Sequence, residues 1–435
     1  MAISERRLRR IAGLLKARLP ETGLEALPDH RQRRGRRWKR IGLLMRVPLL
    51  AMLAGLRSFA EAESLTAEMS VPMRRRLGVT RRVPDTTLRT TAAQMQPSAL
   101  RDCLCRQVRA AHRRKALEPL GLPFGVVAID GKSTAIGAWD HLYAQKQPHS
   151  SGSGASGIVR TLTACLSSSR ANVCLDASPI PPATNEMGHF PTALQELVDA
   201  YGSIGLFKLV STDAGMCSEA HGRLIVEHYQ RHYLFGLKGD QPSLYAEAHR
   251  LLARRRAAEA ETVDVVGKHT VTRQLFRTDE LAAYLSWTHL QTVVRVHSQR
   301  RANDTGELVE QEDRYYLCSL PAAALSPEQW LLLVRRHWAV ENHCHNTWDK
   351  IFREDDHPWF EGGHDAPQGA LVVMLLRRVA YNLLALFRSV TQRSEENRQI
   401  PWKDLMRWVY NTLIAATAAD LDGLRDRQPS ALGVA

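Results

Sequence analysis

Along the first 120 residues apolar side chains recur at helical spacing. Leu43, Leu44, Val47, Leu50, Met52, Leu53 and Leu56 give a broad apolar face to a helix over residues 41–67. A loop at Val83-Pro84-Asp85 leads into a helix from about Thr86, and a further helix runs from Pro97 to Lys115. At Phe124 the pattern changes. Phe124 to Asp130 is an unbroken apolar run ending on an acid, the profile of a central strand buried on both faces that delivers Asp130 at its end, and Leu206 to Asp213 repeats it. Gly157 to Leu166 and Val173 to Ala177 read as two more strands, after a Gly/Ser stretch at 150–157 that reads as a mobile loop. Glu186 to Tyr201 and Ser218 to Arg231 read as helices, and His232 to Lys238 as a fifth strand. Three strands, helix, strand, helix, strand is the order of a ribonuclease-H-like core, an α/β mixed sheet with helices on its faces.

Between Leu244 and Trp330 the chain departs from that order. A helix with Arg254-Arg255-Arg256 gives way to four β-rich segments around Val263, Thr270, Thr292 and Arg314, which read as an inserted antiparallel β-subdomain. A helix with Glu341 and an apolar helix from Gly369 to Phe387 return to the core. The expected organisation is an all-helical basic N-terminal module over 1–120 and the first part of the core over 121–243. The β-rich insertion covers 244–328, the completion of the core 329–390, and a C-terminal helix and tail 391–435.

One polar position does not fit its element. Val334, Trp338, Glu341, His345 and Trp348 fall at i, i+4, i+7, i+11 and i+14, so Glu341 shares a helical face with apolar residues. An unpaired ionised carboxylate there costs several kcal/mol, which leaves a salt bridge with Arg335 or Arg336, or a divalent cation shared with other acids. With Asp130 and Asp213 at strand ends, three carboxylates that converge would need a cation between them. Hard oxygen ligands of this kind suit Mg²⁺ or Mn²⁺, two ions roughly 4 Å apart in the arrangement that cleaves phosphodiesters.

Composition narrows the setting. Seven cysteines without a CxxC pair argue against a disulfide framework and a zinc ribbon, and fit a reducing cytoplasm. His343 and His345 point about 200° apart on one helix, which leaves zinc little support, and Cys103 and Cys105 read as packing thiols. No basic-then-apolar signal opens the chain, and Ile41 to Leu56, broken by Arg46 and Pro48, is too short for the ~20 residues of a membrane span. Charge is uneven. Residues 1–120 carry 27 Lys or Arg against 10 Asp or Glu, while the whole chain has a net charge of +14, so the cationic character belongs to the N-terminal part. That is the footprint of a nucleic-acid backbone binder, or else of a solvated basic arm. Arg33, Arg34, Arg36, Arg37, Lys39 and Arg40 form its densest cluster.

Several short motifs together resemble one family. Ala128-Ile129-Asp130-Gly131-Lys132, Thr184-Asn185-Glu186, Thr212-Asp213-Ala214, Leu237-Lys238 with Gln241, Tyr316 with Ser319-Leu320, and Arg336 to Asn342 through Asp349, Phe352-Arg353-Glu354-Asp355 are similar to the DDE-type insertion-sequence transposases of the H-repeat-associated group. Asp29-His30-Arg31, Gly55-Leu56-Arg57-Ser58 and Pro84 with Thr87 and Arg89 resemble its amino-terminal region, so the likeness spans about residues 29–390. The resemblance implies a ribonuclease-H-like catalytic domain acting on the ends of its own mobile element. Asp130, Asp213 and Glu341 then occupy the metal-binding triad and hold two Mg²⁺, with Mn²⁺ as substitute. The partners implied are double-stranded DNA, at terminal inverted repeats and target, and a second copy of the chain in a homodimer assembled on DNA. Lys132, Lys238, Arg273 and Arg336 join the N-terminal cluster as DNA-binding candidates. Related groups carry a basic residue four before the glutamate and a lysine seven after it, where this chain has His337 and Trp348; Arg335, Arg336 or Lys350 could supply the charge instead. A nuclease or resolvase that cuts without joining, and an inactive copy that binds DNA as a repressor, are the alternatives. The acids Glu354, Asp355 and Asp356 read as a solvated turn, and Trp338 and Trp348 as core residues.

Overall fold

In the computed structural model the described residues are 4–31, 40–138, 140–147, 157–284, 287–360, 362–392, 394–422 and 424. Arg33, Arg34, Arg36, Arg37 and Lys39, and the Gly/Ser stretch up to residue 156, lie outside them. The chain divides into two compact units, one of residues 1–110, 134–159 and 347–435, the other of residues 111–133 and 160–346.

The first unit is mainly helical. It contains α1 (Glu5–Arg18), α2 (Ile41–Leu53), α3 (Phe59–Glu68), α4 (Val71–Leu77), α5 (Asp85–Ala93) and α6 (Pro97–Arg113). The single helix expected over 41–67 is two, α2 and α3. Gly55 at φ +80°, a conformation that only glycine adopts freely, breaks the rod, and Ser58 caps α3 by accepting from the Glu61 N–H at 3.1 Å.

Numbering the remaining helices in chain order, the second unit holds α7 (Glu186–Tyr201), α8 (Glu219–Arg223), α9 (Pro242–Leu252) and α10 (Pro327–His337). The first unit resumes with α11 (Asn346–Lys350), α12 (Ala366–Leu386), α13 (Glu395–Arg398), α14 (Trp402–Ala415) and α15 (Ala418–Asp422). α12, which packs against α2 and α5, is long and apolar enough to cross a membrane, yet 94% of its most apolar window is buried inside the protein, as in the centre of a helical core. Glu354 belongs to that core and not to a solvated turn. It is fully buried against the equally buried guanidinium groups of Arg377 and Arg378, and Arg378 lies 3.6 Å from the centre of the Trp348 ring. A carboxylate can be buried there because two cations flank it.

Ten strands form one mixed sheet: β1 (Val126–Ile136), β2 (Gln145–Lys146), β3 (Gly157–Leu166), β4 (Cys174–Pro179), β5 (Leu209–Thr212), β6 (His232–Leu237), β7 (Ala260–Val266), β8 (His269–Thr278), β9 (Thr292–Ala302) and β10 (Leu308–Cys318). Their order is β2-β3-β1-β5-β6-β10-β9-β8-β7, with β4 paired to β3. β1, β5 and β6 run parallel, as their continuous apolar runs require, and Val126, Leu209 and Leu234 are almost completely buried. The inserted strands are antiparallel, as expected, and they continue the same sheet, because β10 pairs with β6 on one side and β9 on the other. α10 closes over this seam through Trp330, Leu331, Leu333 and Val334, each side chain worth about 1.5–3 kcal/mol of burial. Its first turn is fixed by a reciprocal cap between Ser326 and Gln329.

Candidate functional site

Asp130 and Asp213 come together through strand register. Ile129 and Thr212 are the last Cα partners of the parallel pair β1 and β5, and each acid is the next residue along its chain. Asp130 is not at a strand end, since β1 continues for six residues past it. Asp213 does leave its strand, and its turn is pressed against β6. A Cβ on Gly236 would stand 2.9 Å from the Ala214 nitrogen and 3.2 Å from the Asp213 carbonyl carbon, so only glycine admits this approach.

Glu341 arrives differently from the expectation. The helix does not continue in α register after His337; residues Val340–His345 form a π-helical turn, in which the Asn346 N–H reaches back to the Glu341 carbonyl. The wider turn rotates the following residues, so the face shared by Val334, Trp338, Glu341, His345 and Trp348 does not exist. Glu341 is exposed, Cys344 and His345 are buried, and no salt bridge to Arg335 or Arg336 forms. Arg335 pairs with Asp264 at 2.9 Å, and Arg336 donates to the Leu120 carbonyl at 3.5 Å. The π-helical turn is fixed by Cys344, whose thiol donates to the Asn172 carbonyl at 3.4 Å, and by His345, whose Nδ1 lies 3.4 Å from Asp130 Oδ2.

Electrostatics reports how close the acids are. The Asp130 carboxyl is pushed up to about 7, first by burial and then by the charge of Asp213, with Glu341 and Glu186 adding to it; the Gly131 N–H, 2.9 Å from Oδ1, pulls the other way. Glu186 is raised as well, by burial first and Asp213 second, against the charge of Arg160. The Oδ1 atom of Asp213 is buried and has no hydrogen-bond partner. Among the described residues neither Asp213, Glu341 nor Glu186 closes an ion pair, and no three Asp, Glu, His or Cys side chains form a finished metal-binding group. Mutually repelling carboxylates with an orphaned buried oxygen are nonetheless the donor set that a hard divalent cation satisfies.

A cleft of about 340 Å³ opens beside Asp213, lined among others by Lys238, Tyr245, Arg314, Tyr315, Tyr316 and Trp338. The Arg314 guanidinium stacks 4.1 Å from the Trp338 ring centre and pairs with Glu312 at 2.7 Å. Trp338 is only half-buried and donates from its indole nitrogen to the Tyr316 hydroxyl at 3.2 Å, so it is a cleft wall and not a core residue, whereas Trp348 is core. His337, in the position of the family's basic residue, lies buried with Nδ1 3.3 Å from the Ser211 hydroxyl. Burial first and Arg314 second lower it to about 4, so it is neutral at pH 7.

The other DNA-binding candidates are scattered. Lys132, two residues past Asp130 on β1, is buried; Lys238 is exposed at the cleft; Arg273 pairs with Asp264 at 2.8 Å on β8; Arg336 is half-buried; Arg40 is exposed ahead of α2. Sequence reasoning missed Glu186 as a member of the acid cluster and Arg314 as a wall of the cleft. Glu186 stood in a quoted motif at the start of a helix, but Arg314 could be placed only by knowing that β10 pairs with β6.

The chain is 24% identical over 349 residues to "Putative protein YbfL" of Escherichia coli (strain K12), covering 77% of this chain and 82% of that protein. It is 23% identical over 352 residues, with the same shares covered, to "H repeat-associated putative transposase YhhI" of the same organism. Among solved structures, a piggyBac transposase synaptic complex with hairpin DNA aligns with a TM-score of 0.42 and 12% identity, over 97% of this chain and 80% of that one. No family model matches. Along most of its length, the chain is a relative of the H repeat-associated group that its motifs resemble.

Proposed function

We propose that the chain is a DDE-type transposase that cuts DNA at the ends of an insertion sequence and joins the freed end to target DNA. The observation that carries this reading is the meeting of Asp130 and Asp213 on adjacent parallel strands, with Glu341 near enough to raise the Asp130 carboxyl. The sheet β4-β3-β1-β5-β6, extended by an insertion after β6, is consistent with a ribonuclease-H-like catalytic core, and the relatives by sequence include a protein named as a transposase.

Asp130, Asp213 and Glu341 would hold two divalent ions, Mg²⁺ or Mn²⁺, which when bound activate an attacking oxygen and neutralise charge on the leaving oxygen of a phosphodiester. The protein's own part is placement. Register fixes Asp130 against Asp213, the π-helical turn carries Glu341, and His345 steadies Asp130 while the strand is cut. Water is the first nucleophile; the 3′-hydroxyl that it frees is the second, attacking a target phosphodiester in line without a covalent enzyme intermediate. Lys238 and Arg314 in the cleft would meet DNA phosphates, in place of the neutral His337. The excess positive charge of the first 120 residues would anchor double-stranded DNA by releasing counterions, with a homodimer engaging two ends in the bacterial cytoplasm.

The test is an assay with Mg²⁺ on DNA carrying the sequences that flank the gene. Wild-type protein should nick the end and join it to a second duplex, and Asp213→Ala and Glu341→Gln should do neither. Cutting without joining would make the protein a nuclease on the same scaffold. Retained cutting by either variant would sink the assignment.

A further inference from the structure

We infer that Glu186 is a fourth metal-binding carboxylate of the site, completing with Asp130, Asp213 and Glu341 a set of four acids around the divalent ions; the inference rests on the metal-dependent reading above. Its basis is a close approach. Glu186 opens α7, directly after Asn185, whose side chain caps the helix by accepting from the Gly188 N–H at 2.9 Å. From there the carboxylate reaches the backbone of β1 beside Asp130. A Cβ built on Gly131 would stand 1.9 Å from Glu186 Oε1 and 2.7 Å from Oε2, so the carboxylate occupies the space that any side chain at 131 would fill. Gly131 is not in the left-handed region, and its backbone has no need of glycine. The glycine after the aspartate is explained by Glu186 alone.

The alternative for such an acid is a salt bridge or a helix cap. Among the described residues Glu186 closes no ion pair, and Arg160, the nearby cation, donates instead to the Thr184 carbonyl at 2.5 Å. The cap is already supplied by Asn185. The dipole of a 16-residue helix favours an anion at its first position but does not turn that anion toward two other carboxylates. The buried Asp213 Oδ1, with no hydrogen-bond partner, is an independent sign that a cation belongs among these groups. Four carboxylates carry four negative charges, and two divalent ions neutralise them, whereas three leave the pair of ions with a surplus positive charge.

The experiment measures Mn²⁺ binding to the full-length protein by electron paramagnetic resonance and by calorimetry, without DNA. Glu186→Gln removes the ligand, Gly131→Ala displaces it without changing any charge, Asp213→Asn is the reference loss, and Glu247→Gln is a control acid on α9. Wild type and the control should bind Mn²⁺ alike. Glu186→Gln and Gly131→Ala should each bind at least about tenfold more weakly or lose one of two ions, with circular dichroism unchanged. If Glu186→Gln and Gly131→Ala bind as wild type does while Asp213→Asn does not bind, Glu186 is no ligand and the three-acid site stands. If wild type binds no Mn²⁺, both this inference and the metal-dependent reading fall.

Discussion

Asp130 and Asp213 sit side by side because Ile129 and Thr212, the residues before them, are register partners in neighbouring parallel strands. Without a cation this juxtaposition destabilises the folded chain at neutral pH. The folded Asp130 carboxyl keeps its proton up to about 7, while the unfolded chain releases it near the ordinary 3.8. Between those values the native state holds the extra proton, so stability of the metal-free protein should fall as pH rises from 4 to 7 and level off above it. Asp130→Asn should flatten that decline and raise the Tm at pH 8 in EDTA. Urea unfolding of both proteins at pH 5 and pH 8 checks it; a wild-type protein more stable at pH 8 than at pH 5 by the Asp130 contribution would contradict the sign.

The same proton competes with metal. Mn²⁺ affinity should therefore rise between pH 6 and 8, with close to one proton released per site at the lower pH. Calorimetry in buffers of different ionisation enthalpy reads that proton directly, and Asp130→Asn should abolish its release.

Charge in the cleft is expected from Lys238 and Arg314, not from His337, which burial keeps neutral. Lys238→Ala and Arg314→Ala should each lower the slope of log affinity against log salt by about one while weakening DNA binding across sequences. His337→Gln should leave that slope unchanged and cost stability on the order of 1 kcal/mol through its Ser211 contact. A salt titration of DNA binding distinguishes the three variants.

Much of this arrangement was legible in the chain. The apolar runs into Asp130 and Asp213 identify buried parallel strands because a strand covered on both faces has no polar side to show. Helix Glu186–Tyr201 was readable to the residue, since Asn185 caps it and Gly202 follows it. What escaped was whatever depends on a partner distant in sequence. A π-helical turn has the composition of an α-helix, so the spacing around Glu341 predicted a face that the extra residue in the turn destroys. The insertion looked like a separate subdomain because nothing in β10 announces that its second half, Tyr315 to Cys318, pairs with β6. Glu354 looked solvated among Asp355 and Asp356, because the arginines that neutralise it lie more than twenty residues away on an apolar helix.

Those arginines give a stability prediction. Arg377 is held down to about 10 by burial, and Glu354 is the charge that offsets both guanidinium groups. Glu354→Gln should cost about 3–5 kcal/mol, the penalty of leaving buried charge uncompensated. Asp356→Asn, which loses only an exposed contact with Arg353, should stay within about 1 kcal/mol of wild type. Chemical denaturation of both variants tests the contrast, and equal losses would mean that the arginines find another partner.

Gly236 gives the last prediction, because it separates position from chemistry. It touches no acid side chain, yet its missing Cβ is what lets β6 lie against the turn that carries Asp213. Gly236→Ala must push Ala214 and the Asp213 carbonyl carbon outward by some tenths of an ångström, and overpacking of this kind costs about 1–3 kcal/mol. The larger effect should fall on the site. With all four carboxylates present but Asp213 displaced from Asp130, Mn²⁺ affinity and strand cleavage should drop together, whereas salt-dependent DNA binding through Lys238 and Arg314 should persist. Loss of stability without loss of metal affinity would show that the acids tolerate the displacement, and that register alone does not set their spacing.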